Sequence, residues 1–301
     1  TIPGVENFTL AINDSPDSTT IGGITVTEVK TMTITGTGNV LLGTVGGATT
    51  DAMTSFDASA LVGRLGSSSA SVVLDSCAST AIVKTPAASR AWISLAGSTG
   101  GVSLTAGNDD DTIIGSTGAD TIVSGAGDDN LTGGAGGDSL TGGSGTDDYI
   151  YTALTDGGAL AAATGYDTIT GFVQGTDDVS ISTAFEAALV GGNQDGTLDV
   201  TSAAQNGISK TANDSDVFIL TTTVENQTTL ADVITGVGTV ITAAADEFIL
   251  VVNNAAGTQA GVYGVKTIDA NAGAALIAGE IYILAIVTTD AALVAADLAI
   301  E

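Results

Sequence analysis

Histidine is absent from the 301-residue chain, and lysine and arginine together number only 6. The first absence excludes a His-Glu-x-x-His zinc site and a Ser-His-Asp triad. The second, set against 34 acidic residues and a net charge of -28, argues against nucleic acid or an anionic membrane as partner, because like charges repel. Cations are the natural counterparts. Cysteine occurs once, so Cys77 has no internal disulfide partner and reads as a small core residue. Apolar runs are short: Ile281 to Val287 is well below the length of a membrane-crossing helix. The first residues show neither a basic n-region nor an apolar h-region, and the opening Thr1 in place of Met points to a fragment or processed product of something longer.

Aromatics make up only 4% of the residues, and strong acidity with few aromatics often marks disorder. Here 44% of residues are hydrophobic, so there is apolar surface to bury and the chain reads as folded. That surface comes mostly from Ala, Val, Ile and Leu, with much Thr and 41 Gly, which favours extended backbone broken by tight turns. The composition is all-β. In the first hundred residues, apolar clusters at Phe8/Leu10, Met32/Ile34, Phe56, Val72/Leu74 and Ile93/Leu95 recur at intervals of about twenty. This suits the rungs of a parallel β-solenoid, in which no rung buries its apolar side until the next one stacks on it. An antiparallel sandwich with irregular loops is the competing arrangement.

From residue 106 the periodicity becomes strict. AGNDDDTII, GSTGADTIV, SGAGDDNLT, GGAGGDSLT and GGSGTDDYI follow without a gap through residue 150. The sixth place is always Asp (Asp111, Asp120, Asp129, Asp138, Asp147), and the eighth is always bulky and apolar (Ile113, Ile122, Leu131, Leu140, Tyr149). Glycines allow the first six residues to turn tightly with carbonyl oxygens inward, and the last three form a short strand whose apolar member enters the core. Asp residues in stacked turns then face one another. At a strand spacing of about 4.8 Å, two bare carboxylates repel by roughly 3.5 kcal/mol at an effective dielectric of 20. A cation is needed between them. Calcium suits such a gap because it accepts 6 to 8 oxygens in irregular geometry, whereas magnesium demands a stricter octahedron and zinc would want His or Cys.

These nonapeptides resemble the RTX repeat, G-G-x-G-x-D-x-U-x with U a large apolar residue, which winds into a calcium-binding parallel β-roll. The resemblance implies two repeats per coil and several calcium ions, with ions between repeats eighteen residues apart: Asp111 with Asp129, Asp129 with Asp147, and Asp120 with Asp138. Backbone oxygens at Asn108, Thr117, Ala126, Gly133, Ala135, Gly142 and Ser144 would complete the shells. Repeat one departs from the pattern at Ala106, Asn108 and Asp109, and repeat three begins with Ser124, so an irregular entrance is expected with Asp109 or Asp110 as substitute ligands. Asp167 is a further candidate ligand. The segment Asp167–Phe172, followed by Gly175-Thr-Asp177-Asp178-Val-Ser-Ile181, looks like the strand pair that follows RTX arrays in proteins exported by type I secretion. The tail Ala295–Glu301 is compatible with an uncleaved export signal, and equally with a final strand.

The expected fold is therefore an all-β, right-handed parallel β-solenoid and β-roll with a β-rich C-terminal cap. Solenoid rungs would occupy residues 1–105, the roll 106–150, and a capping and secretion region 151–301. In that last region Leu230–Ala245 has a helical pattern, weakened by Gly236 and Gly238, while Glu247–Val252, Gly261–Ile268 and Ile281–Val287 read as strands. The phrases Gly4–Leu10 and Thr54–Ala60 resemble segments of calcium-dependent RTX surface-layer proteins of Gram-negative bacteria. That resemblance implies an extracellular structural protein that self-associates into a lattice and reaches cell-surface polysaccharide through a region upstream of this chain. An RTX adhesin, or the export domain of a secreted hydrolase, are the other classes. No catalytic residue is expected: Gly133–Gly136 lacks the Gly-Lys-Ser/Thr of a phosphate cradle, and carboxylate pairs in so acidic a chain read as surface or calcium ligands. Trp92, Phe172 and Tyr149 read as core residues rather than sugar-binding platforms.

Overall fold

Strand dominates among the described residues, where α-helix is confined to two short segments. The structure is a computed structural model that describes residues 6–12, 19–21, 29–42, 44–45, 53–66, 72–74, 77–159, 165–186, 199–203, 208–209, 217–221, 223–225, 227–228, 230–237, 239–241, 247–266, 272–275 and 281–300. The chain divides into two units, Thr1–Asp148 and Tyr149–Glu301.

The strands of the first unit are β1 (Asn7–Ile12), β2 (Thr19–Ile21), β3 (Thr31–Gly36), β4 (Val40–Leu42), β5 (Thr44–Val45), β6 (Met53–Leu61), β7 (Val72–Leu74), β8 (Cys77–Lys84), β9 (Trp92–Ser94), β10 (Ser103–Thr105), β11 (Thr112–Ile114), β12 (Thr121–Ala126), β13 (Asn130–Thr132) and β14 (Ser139–Ser144). They form a parallel solenoid. One sheet runs in the order β1-β3-β6-β8-β10-β12-β14 and the other β5-β7-β9-β11-β13, with β2 paired to β4. Every neighbouring pair for which a register is given is parallel, such as Thr121↔Ser139 on one side and Thr112↔Asn130 on the other. An antiparallel sandwich is thereby excluded for this unit.

The expected apolar clusters lie in these strands, apart from Leu95 just after β9, but are divided between the two sheets. Phe8, Met32, Phe56 and Val83 stack in register on one, and Val72 and Ile93 on the other. Met32, Phe56, Val72 and Ile93 are fully buried, and the apolar eighth residues Ile113, Ile122, Leu131 and Leu140 continue the same core. Coil length changes along the solenoid. Residues one coil apart are 24 positions apart near β1, β3 and β6, as in Lys30 with Glu6 and Thr54 with Lys30, but 18 apart in the nonapeptide array. The shorter coil follows from the strict repeat, because two nonapeptides close one turn with nothing left for a loop.

In the second unit β15 (Asp148–Tyr151) is followed by β16 (Gly158–Ala159), β17 (Asp167–Phe172), β18 (Asp178–Ile181), α1 (Thr183–Glu186), β19 (Val200–Ala203), β20 (Ile208–Ser209), β21 (Val217–Leu220), α2 (Leu230–Val237), β22 (Thr239–Ile241), β23 (Glu247–Asn253), β24 (Gln259–Lys266), β25 (Ala272–Ala275), β26 (Ile281–Thr289) and β27 (Leu298–Ile300). The main sheet has the order β17-β26-β24-β23-β21-β19. It mixes parallel pairs with the antiparallel pairs β23/β24 and β24/β26. Every residue of β23 is buried, and Phe218 meets Phe248 edge-on at 5.4 Å. A buried strand of this kind shows no alternation in sequence, only an apolar run.

Two expectations need correction here. The segments 167–172 and 178–181 are strands, but they do not pair with each other: β17 joins β26, while β18 pairs in parallel with β27. The helix expected over Leu230–Ala245 stops at Val237 and gives way to β22, with 242–246 outside the described residues. Gly236, taken as a helix weakener, is where α2 meets Val224; a Cβ there would lie 2.1 Å from the Val224 Cγ2. Cys77 is a buried thiol, and Tyr149 and Phe172 are core residues with ring centroids 5.9 Å apart. No helix among the described residues is long and apolar enough to cross a membrane.

Candidate metal centre

The repeat turns stack directly on one another. Gly143 (φ 123°) lies over Gly125 (φ 117°), and a Cβ on Gly143 would fall 1.9 Å from the Gly125 carbonyl oxygen. Only glycine combines that φ with that approach. The contact brings the backbone carbonyls of successive turns close together.

Against these carbonyls run the sixth-place aspartates. All five are buried, none more than 2% exposed. Their Oδ1 atoms form a ladder: Asp129 Oδ1 accepts the Asp111 N–H at 2.7 Å, Asp138 Oδ1 that of Asp120 at 2.8 Å, and Asp147 Oδ1 that of Asp129 at 3.2 Å. The ladder starts on non-acidic residues, where Asp111 Oδ1 accepts from Ala91 N–H and Asp120 Oδ1 from Val102 N–H, both at 2.6 Å. The stacked carboxylates are thus stitched together by main-chain donors as well as facing one another. The Oδ2 atoms differ. Those of Asp111 and Asp120 accept the N–H groups of Gly107 (3.1 Å) and Ser116 (2.6 Å), whereas Asp129 Oδ2 is buried without a main-chain donor.

Burial disfavours the charged form of these acids. It pushes Asp111 up to about 7, against the hydrogen bonds from Ala91 and Gly107 and with added repulsion from Asp129 and Asp109. Burial raises Asp120 and Asp129 too, opposed by main-chain donors and by the Ser116 and Ser124 hydroxyls. Of the three ion pairs among the described residues, only Arg90 with Asp110 touches the array. Among the described residues no three His, Cys, Asp or Glu side chains gather as a metal cluster. The donors are instead one carboxylate per turn and converging main-chain oxygens, a hard, oxygen-only set suited to calcium. A buried carboxylate oxygen at Asp129 without a main-chain donor is what a divalent cation would neutralise.

The other expected ligands fall in two groups. Gly133 and Gly142 are buried beside the aspartates of their own repeats, and the Ser124 hydroxyl donates to the Gly142 carbonyl at 3.0 Å. Asn108, Asp109, Thr117, Ala135 and Ser144 are exposed and Ala126 half-buried, along the outer edge of the turns. The Ser144 carbonyl accepts from Gly127 N–H at 2.9 Å. Asp167 lies in the second unit, buried, and accepts the Tyr151 hydroxyl at 3.0 Å. Sequence reasoning missed a second column at the fifth place. Asp110 Oδ1 accepts Asp128 N–H (2.9 Å) and Asp128 Oδ1 accepts Thr146 N–H (2.8 Å), running opposite in direction to the first ladder. Its signal was available, since the fifth-place Asp occurs only in alternate repeats, those that share one side of a two-repeat coil.

The family model for the RTX calcium-binding nonapeptide repeat matches residues 94–122 and 114–149. Residues 94–149 therefore carry RTX calcium-binding repeats, which bind multiple calcium ions and indicate a surface or secreted protein. No curated protein matches it. The match begins upstream of residue 106, where Gly97–Thr105 is a degenerate repeat with Val102 in place of the sixth-place Asp.

Proposed function

We propose that this chain is a non-catalytic structural component of a bacterial cell surface, exported by type I secretion, folded by external calcium and assembled laterally into an S-layer-type lattice. The observation that carries this reading is the buried aspartate ladder, whose ionised form is stabilised by divalent cations. At a site affinity near 10⁻⁴ M, millimolar calcium stabilises the fold by about 1.4 kcal/mol per site, so several coupled sites exceed the margin of a small domain. In a low-calcium cytoplasm the array would stay open, as export through a narrow channel requires.

In this reading 1–105 is a supporting solenoid, 106–150 the calcium roll, and 151–301 the cap and secretion region. The ions lie between repeats eighteen residues apart, held by the sixth-place aspartates and carbonyls of the turns. The Ala/Thr/Gly-rich, Lys-poor composition and the phrases Gly4–Leu10 and Thr54–Ala60 support lattice formation, and cell-surface polysaccharide is the further partner this reading proposes. Two measurements test it. Far-UV circular dichroism should lose β signal when EGTA is added, and an unchanged spectrum refutes the calcium switch. Electron microscopy of the purified chain in millimolar calcium should show ordered sheets or tubes; monodisperse particles favour an adhesin instead.

A further inference from the structure

Each calcium gap in an RTX roll is bounded by two coils, and the first coil of this array meets a coil without aspartate. On one side the column reads Val102, Asp120, Asp138, and on the other Ala91, Asp111, Asp129, Asp147. Val102 and Ala91 are buried and apolar. A cation in either first gap would find one carboxylate where later gaps offer two.

The chain's own groups occupy these first gaps. Ser116 is 1% exposed, and its Oγ lies 2.9 Å from Asp120 Oδ1, 3.1 Å from the Gly100 carbonyl of the coil above and 3.4 Å from the Gly118 carbonyl, while accepting the Gly118 N–H at 3.1 Å. Carboxylate and carbonyl oxygens from two coils thus converge on a hydroxyl. Asp120 accepts three hydrogen bonds, from Val102 N–H, Ser116 N–H and Ser116 Oγ–H. One coil earlier Ser98, eighteen residues before Ser116, plays the same part without any aspartate: it donates to the Leu74 carbonyl at 2.9 Å and accepts the Cys77 N–H at 3.0 Å. One coil later the equivalent position is Gly134, with φ 99° and a Cβ position 2.1 Å from the Ser116 carbonyl oxygen, so no hydroxyl can stand there. Serine gives way to glycine as aspartate becomes paired. On the opposite side Arg90 pairs with Asp110 and lies 5.7 Å from the centre of the Trp92 ring, a fixed cation beside the first carboxylates that repels a second one. Asp111 has both oxygens bonded to main-chain N–H groups, in contrast to Asp129.

We infer that the calcium ladder is closed at its upstream mouth by Ser116 and Arg90, so that calcium does not enter the gaps between Val102 and Asp120 or between Ala91 and Asp111. Asp111 and Asp120 then serve only the gaps below them, and the coils above are held by hydrogen bonds alone. The inference rests on the calcium reading of the array and adds where the ions begin.

The test is the number of calcium ions bound per full chain, measured by equilibrium dialysis and elemental analysis. Ser116→Ala and Arg90→Gln each bind no fewer ions than wild type, because these side chains exclude calcium rather than hold it. The double variant Val102→Asp with Ser116→Gly restores a second carboxylate and the consensus glycine, and binds one ion more. A nonzero wild-type count that drops in Ser116→Ala overturns this inference alone; a wild-type count of zero overturns the calcium reading together with it. A double variant that folds, by circular dichroism, with no added ion also overturns it. If that variant does not fold, anomalous scattering from wild-type crystals grown in calcium decides: density between Val102 and Asp120 overturns the inference, and density confined to later gaps supports it.

Discussion

At the scale of single residues, Asp129 concentrates the chemistry of the array. It is wholly buried, one oxygen accepts a main-chain N–H, and the other has no main-chain donor. Replacing Asp129 by Asn keeps the shape and removes the charge. In millimolar calcium the thermal midpoint should fall and the calcium affinity weaken at least tenfold, whereas in EGTA the substitution should be neutral or stabilising because a buried charge has gone. Equal loss in both conditions would show that Asp129 is a packing residue only. Protons should act in the same sense. The Asp111 carboxyl, 3.8 when unperturbed, is pushed up to about 7 by burial, so the folded, metal-free chain binds protons more tightly than the unfolded one between those values. Metal-free stability therefore rises as pH falls from about 7.5 towards 5, and the calcium-induced gain shrinks over the same interval because protons and calcium compete for one carboxylate. Urea melts with EGTA at both pH values check this; a lower midpoint at pH 5 contradicts it.

At the scale of elements, turns and strands of the roll are fixed by different residues. The strands need only an apolar eighth residue, and Ile113, Ile122 and Leu131 are interchangeable in that role. The turns need glycine where a Cβ would fall within about 2 Å of the turn before. Gly143→Ala puts a methyl group into the Gly125 carbonyl at an unfavourable φ, and should cost at least about 2 kcal/mol, read as a lower urea midpoint in calcium. A midpoint within error of wild type would mean that the turns do not stack as described. Within the tail, compatible in sequence with either a signal or a strand, Leu298–Ile300 form β27, which pairs with β18, and Asp297 accepts Gly175 N–H at 2.7 Å and Val294 N–H at 2.7 Å.

At the scale of the whole molecule, the two units rest on different physics. The first stacks quasi-repetitive coils and includes the calcium array; the second has an ordinary aromatic and aliphatic core around Phe218, Phe248, Leu250 and Ile283. Phe248→Ala should therefore destabilise by about 3–5 kcal/mol whether or not calcium is present, in contrast to Asp129→Asn. Differential scanning calorimetry with and without EGTA separates the two, and a calcium-dependent Phe248→Ala effect would show that the cores are not independent.

The amino-acid sequence by itself determined the roll, its period and its affinity for a hard cation, because repetition leaves a turn glycine, an aspartate and an apolar residue no alternative partners except their own images eighteen residues away. It also marked the upstream apolar clusters, although not their division between two sheets, since spacing alone does not say where a coil turns its corner. What only the tertiary structure decided were the non-repetitive matters: β17 pairing with β26 rather than with β18, Gly236 serving as a contact instead of a breaker, and Ser116 standing among oxygens from two coils. Each of these depends on residues brought together from different coils or distant strands, where local preference is silent and packing chooses.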